Sequence, residues 1–319
     1  MKVLFVTSTR VGDAILSTGL IERVLAEHPD ARFTIACGPA AAPLFEAVPN
    51  LDRIIVLDKM LFSLHWARLW ALTVGTAWDL VIDLRNSPWT FVLKSKQRRG
   101  MPRDGSDDRR VQRMGRVLDL DEPPAPHLWV SAEDMTLATK FIPPGAPVLA
   151  VGPTANWRAK TWRPEYFAEL IERLTGPAGI LPGGRVALFG RDDERPMAHR
   201  LIEVIPEARR IDLIGKLDLL TASACLARCA FYVGNDSGLM HLAAASGVPT
   251  LGLFGPTREE LYAPWGKHTG IVRTELPFDQ IFPKEFDHLT SDSLMDSLTV
   301  DAAEAGARAL WARCNKQAA

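Results

Sequence analysis

The chain has 319 residues, 47% of them hydrophobic, and a formal net charge of −1. That length suits two domains of ordinary size with sizeable cores, and the near-neutral balance excludes a polyanion binder acting through bulk charge. The four cysteines (Cys37, Cys225, Cys229 and Cys314) are scattered without zinc-site spacing and read as buried free thiols, which suits a reducing cytoplasm.

The opening MKVLFVTSTR is too short an apolar run for a signal peptide. No stretch approaches the roughly 20 apolar residues of a membrane span. The expectation is a cytoplasmic protein, free or held at the inner face of the inner membrane.

The first half alternates between strand and helix patterns. Lys2 to Thr7 reads as a strand, and Asp13 to Glu27 as an amphipathic helix with Ile15, Leu16, Leu20, Ile21, Val24 and Leu25 on one face. Phe33–Cys37 is a strand, Ala40–Val48 a short helix and Arg53–Leu57 a strand. Phe62–Val74 is a Leu- and Trp-rich helix, and Asp79–Leu84 a further strand. Such alternation implies βαβ units and a parallel sheet. Lys94 to Arg116 then breaks the pattern, with nine Lys/Arg against three Asp, a local net of +6. A Pro-rich stretch follows (Pro123, Pro124, Pro126, then Pro143, Pro144 and Pro147), and the linker is placed at its end.

Alternation resumes with a strand over Val148–Gly152 and a helix over Pro164–Leu174, whose Pro opens the first turn. Arg185–Phe189 is a strand, and Asp192–Val204 and Leu219–Cys229 are helices. Strands at Phe231 and Thr250–Phe254 and an amphipathic tail helix from Val300 to Arg313 complete the pattern. The expected boundaries are 1–143, 144–295 and a C-terminal helix, 296–319, packing back on the first domain.

The richest stretch is FYVGNDSGLMHLAAA, from Phe231 to Ala245. Its apolar run suits a buried strand, Gly234 and Asn235 a tight turn, and Asp236 and Ser237 a helix cap. Gly238 allows close approach to the backbone. The N–H groups of that first helical turn form an anion site, for which phosphate is the usual guest. His241 lies one turn on and faces the same guest, or else is a satisfied core histidine. A carboxylate at Asp236 would repel a phosphate unless capping or sugar hydroxyls occupy it.

Other strand ends offer candidates. Thr7-Ser8-Thr9-Arg10-Val11-Gly12-Asp13 follows the first strand. Asp13 is either a carboxylate stabilised by the helix dipole by about 0.3–1 kcal/mol or a general base for a hydroxyl. Gly152-Pro153-Thr154-Ala155-Asn156, with Lys160 beyond, suits a phosphate cradle, or else a solvated loop. Gly190-Arg191-Asp192-Asp193-Glu194 offers Asp192 and Glu194 to ribose hydroxyls, or as ordinary first-turn acids. Trp157 and Trp162 read as packing residues. No metal site, GxSxG, HExxH or P-loop is legible.

Three segments together resemble glycosyltransferase family 9, the ADP-heptose:lipopolysaccharide heptosyltransferases. They are Arg10-Val11-Gly12-Asp13 with Thr18-Gly19-Leu20-Ile21, Lys160-Thr161-Trp162-Arg163-Pro164, and Gly234-Asn235-Asp236-Ser237-Gly238-Leu239-Met240-His241 running on to Phe254-Gly255-Pro256-Thr257. The likeness covers nearly the whole chain in the right order.

The resemblance implies an α/β protein of GT-B fold, with two Rossmann-like doubly wound domains facing a central cleft. It implies acceptor binding in the first domain, nucleotide-sugar binding in the second, and inverting, metal-independent heptose transfer from ADP-heptose to the lipopolysaccharide inner core. Asp13 would be the base. Thr154, Lys160, Asp192, Glu194, Asp236, Ser237, Gly238 and His241 would hold the donor. Arg10, Arg98 and Arg99 would meet the acceptor.

No cofactor and no nucleic-acid partner are expected. The basic segment would meet an anionic glycolipid or leaflet, or else be solvated. The resemblance leaves open another nucleotide sugar, an epimerase, or a non-catalytic ADP-sugar module. The donor loop at Gly152–Asn156 lacks the small-residue turn of many relatives.

Overall fold

A computed structural model describes residues 1–104, 107–287 and 291–318. The chain divides into two compact units, Met1–Ser131 and Ala132–Ala319.

The first unit runs β1 (Lys2–Val6), α1 (Val11–Glu27), β2 (Arg32–Cys37), β3 (Leu51–Val56), α2 (Leu64–Thr73), β4 (Trp78–Asp83), β5 (Ser95–Gly100) and α3 (Arg110–Gly115). Its five strands lie in the order β3-β2-β1-β4-β5, all parallel. Val3 to Val6 are fully buried, as a central parallel strand covered on both faces requires. Strand order reverses between β1 and β4, so the carboxyl ends of that pair are where a doubly wound sheet receives a ligand.

The Thr18-Gly19 pair has a packing reason. A Cβ on Gly19 would lie 2.6 Å from the carbonyl oxygens of Pro124 and Ala125, and the Thr18 hydroxyl accepts from the His127 amide at 3.0 Å. The Pro-rich stretch is therefore strapped onto α1.

The second unit runs α4 (Ala132–Phe141), β6 (Val148–Gly152), α5 (Pro164–Thr175), β7 (Arg185–Leu188), α6 (Arg195–Val204), β8 (Arg210–Asp212), α7 (Leu219–Leu226), β9 (Phe231–Asn235), α8 (Gly238–Ala245), β10 (Thr250–Phe254), α9 (Glu259–Tyr262), β11 (Thr269–Arg273) and α10 (Val300–Ala318). Its strand order is β11-β10-β9-β6-β7-β8, again all parallel. Here the reversal falls between β6 and β9. Leu149, Val151, Phe231, Val233, Leu251 and Leu253 from the central strands share one core with Trp162, Phe167 and Leu170.

Several expectations need correction. The division falls before α4, not after Pro143, because α4 packs on α7 of the second unit. Ala303, Ala307, Leu310 and Cys314 of α10 enter the second unit's own core, so the tail helix is committed there. Residues Pro39–Phe45 form a 3₁₀ helix with Pro43 inside it, where a regular helix would lose a hydrogen bond.

The basic segment is not simply a break. Its residues Ser95–Gly100 form the edge strand β5, paired in parallel with β4. Charged side chains on an edge strand discourage pairing with another chain. Gly105 and Ser106 of that segment lie outside the described residues.

Candidate active site

In the first unit, β1 delivers the chain to α1, with Arg10 as N-cap and Asp13 in the first turn. The Asp13 side chain is 15% exposed, and its Oδ1 lies 3.2 Å from Nε of Arg110 on α3. Sequence reasoning did not single out Arg110 as the partner of Asp13. The signal was absent, because contact between α1 and α3 joins residues almost a hundred positions apart.

Asp83, at the end of β4, is buried and accepts from the Arg85 and Ser87 amides at 2.8 Å and from the Thr90 hydroxyl at 2.7 Å. Burial pushes its carboxyl up, and the three hydrogen bonds oppose that shift. Its oxygens are spoken for, so it shapes the turn.

A pocket of about 580 Å³ opens at the carboxyl ends of β1 to β3, lined among others by Thr7, Thr9, Lys59, His65, Trp66 and Arg85. The Arg85 guanidinium stacks over Trp66 at 5.4 Å from the ring centroid. Among the sequence candidates for acceptor contact, Arg10 is exposed. Arg98 is tied to the Leu93 carbonyl and the Ser95 hydroxyl at 2.9 Å and lies over Phe91. Arg99 pairs with Asp119 at 3.1 Å. Neighbours in a strand point to opposite faces, so Arg98 and Arg99 do not line one site together. Part of the segment's charge is paired: Lys96 with Asp79, and Arg116 with Asp104 and Asp108.

In the second unit the candidates converge. The Lys160 ammonium meets Asp236 Oδ2 at 3.1 Å, and the two side chains are 14% and 8% exposed. The Asp236 carboxylate is thus held by Lys160. Asn235 belongs to β9 and not to a turn. Its buried side chain accepts from the Trp162 amide at 3.0 Å and donates to the Pro153 carbonyl at 2.9 Å. One amide thus ties both ends of the β6–α5 loop, which carries Lys160, to the end of β9, a role the sequence did not reveal.

Ser237 is the N-cap of α8, yet its side chain makes no capping bond, and no acid lies in the first turn. The positive end of that helix therefore meets neither a side-chain cap nor an acid of its own first turn. His241 is buried on α8. Thr154 donates to Glu194 Oε2 at 2.8 Å, and Glu194 also accepts from the Arg191 amide at 3.1 Å. Asp192 is exposed, and its side chain borders Gly215. Trp157 packs against Phe282 and Phe286, and Trp162 is fully buried, as expected of packing residues. The thiols of Cys37, Cys225, Cys229 and Cys314 are all buried and free. Among the described residues no cluster of three or more His, Cys, Asp or Glu is arranged to hold a metal.

Two doubly wound parallel sheets, with an open helix N-terminus at the switch point of the second, define a fold of GT-B type. Residues 107–285 match the family glycosyltransferase family 9 (heptosyltransferase). Lipopolysaccharide heptosyltransferase 1 of Pseudomonas aeruginosa is 35% identical, with 87% of this chain and 85% of that one covered. Lipooligosaccharide heptosyltransferase 2 of Haemophilus influenzae is 27% identical, with 86% and 88% covered. The solved structure of E. coli ADP-heptose lps heptosyltransferase II superposes with a TM-score of 0.75 at 21% identity, covering 99% of this chain and 100% of that one. The chain belongs to glycosyltransferase family 9, and it is a glycosyltransferase.

Proposed function

We propose that this enzyme transfers a heptose from ADP-heptose, with inversion, to a sugar of the lipopolysaccharide inner core. The observation that carries the reading is the uncapped N-terminus of α8 beside the Lys160–Asp236 pair, at the switch point of the second sheet. Those groups suit a diphosphate that gains negative charge as it departs. Glu194 with Thr154 suits ribose hydroxyls, and Asp236 the sugar.

The reaction balances simply. An acceptor hydroxyl oxygen forms the new bond to the anomeric carbon as the bond from that carbon to the phosphate oxygen breaks. The hydroxyl proton passes to the Asp13 carboxylate, and the electron pair leaves on ADP. Arg110 orients Asp13 for this step. The residues named carry the charge without a metal.

The acceptor is an anionic glycolipid in this reading. Lys59, His65 and Arg85 in the first unit's pocket suit its acidic groups. An anionic leaflet suits the exposed Leu61, Phe62, Phe91 and Val92, flanked by Lys59, Lys94 and Lys96. Co-sedimentation with anionic but not with neutral vesicles is expected, and equal indifference to both would remove the membrane from the account.

Asp13→Ala tests the assignment of the base. Transfer is expected to fall by about 10²- to 10⁴-fold while ADP-sugar binding survives. Normal transfer by that variant would refute the role. An undiminished rate in EDTA is expected in the same assay, and loss of activity there would refute metal independence.

A further inference from the structure

A lysine ammonium rides on a flexible four-carbon stem, so the place it reaches depends on the backbone that carries it. Around Lys160 that backbone is held by two separate parts of the second unit. The first is Asn235, fully buried at the end of β9, whose side chain accepts from the Trp162 amide at 3.0 Å and donates to the Pro153 carbonyl at 2.9 Å.

The second is the segment Ser293–Leu298, which leads into α10. The Leu294 amide donates to the Ala159 carbonyl at 2.9 Å, and the Ser293 hydroxyl donates to the Thr161 carbonyl at 2.7 Å. The Trp162 indole donates to the Leu298 carbonyl at 2.8 Å. Ser293 is itself oriented, because its oxygen accepts from the Met295 amide at 3.1 Å. The residues on either side of Lys160 thus both have their carbonyls engaged by one segment more than a hundred positions away. The ammonium at the other end of the side chain meets Asp236, the residue after Asn235 and the one before the N-cap of α8.

We infer that Asn235 and Ser293 are positioning residues for the donor diphosphate: they fix the backbone on either side of Lys160, so that its ammonium stands at one place beside the mouth of α8. The inference rests on the reading of Lys160 and α8 as the diphosphate site. A misplacement of about 1 Å can cost about a hundredfold in rate. A lysine on an unpinned loop would therefore stabilise the departing diphosphate poorly with its charge intact.

Calorimetry with ADP on the full-length wild type, Asn235→Ala, Ser293→Ala and Ser293→Thr tests it, with adenosine as the phosphate-free probe. Ser293→Ala is expected to weaken ADP about three- to fivefold and to leave adenosine affinity unchanged. Ser293→Thr keeps the hydroxyl and is expected to bind ADP as the wild type does. Asn235→Ala is expected to weaken ADP about tenfold, and adenosine by less, since only its bond to Pro153 lies on the Thr154 side of the loop. Adenosine binding also reports that each variant is folded. Should Asn235→Ala fail to fold, Ser293→Ala, at a half-buried position, decides alone.

Wild-type ADP affinity in a folded alanine variant would overturn the inference. So would equal weakening of ADP and adenosine, which would mark a packing role, or a Ser293→Thr variant as weak as Ser293→Ala. Failure of the wild type to bind ADP would overturn the donor reading itself, a result distinct from any of these.

Discussion

In the proposed mechanism the chemistry falls at two helix N-termini that are alike in topology and opposite in charge. Both α1 and α8 follow a strand that borders a switch point. The first turn of α1 carries Asp13, whereas the first turn of α8 carries no acid and its N-cap serine leaves the amides uncapped. The dipole at α1 is already met by a carboxylate, so that end disfavours an anion and suits a neutral hydroxyl. The dipole at α8 is unmet, so that end attracts one. The carboxylate nearest α8, Asp236, is held by Lys160, while Asp13 is held by Arg110. Each unit therefore pairs its acid with a base, and the position of the acid relative to the helix end decides which guest fits.

Three substitutions sharpen or break this contrast. The largest effect on turnover is expected from Asp13→Ala, with donor binding intact. Lys160→Ala strikes the other end. It leaves Asp236 buried and unpaired, so the protein is expected to lose about 3–5 kcal/mol of stability, read from chemical denaturation, together with most of its ADP affinity. Retained ADP affinity in Lys160→Ala would mean that α8 alone makes the anion site.

The smallest effect is expected from Gly234→Ala. Its Cβ would press on the Tyr232 hydroxyl at 2.3 Å and the Gly152 carbonyl oxygen at 2.8 Å. A loss of about 1–3 kcal/mol is expected, read as a lower Tm and partly restored by Tyr232→Phe. An unchanged Tm would show that the switch point is looser than these distances imply.

Much of this was legible in the sequence, for identifiable reasons. Central strands such as Lys2–Val6 and Val148–Gly152 are continuous apolar runs, and their burial follows. The strand and helix on either side of Asp236 and Ser237 were legible because polar residues and a glycine separate two apolar runs. Of the four edge strands only β3 was legible. β5 reads SKQRRG, β8 is three residues long and β11 reads TGIVR. Edge strands bury little and need no apolar run.

The pairing of Arg110 with Asp13 and the clamp made by Asn235 depend on contacts between elements distant in sequence, which local patterns do not encode.

A crystal structure with ADP bound tests the central claim most directly. The account predicts the diphosphate against the amides of Gly238 and Leu239, with Ser237 Oγ and the Lys160 ammonium within hydrogen-bonding distance. A nucleotide seated away from α8, with the Lys160–Asp236 pair untouched, would contradict it.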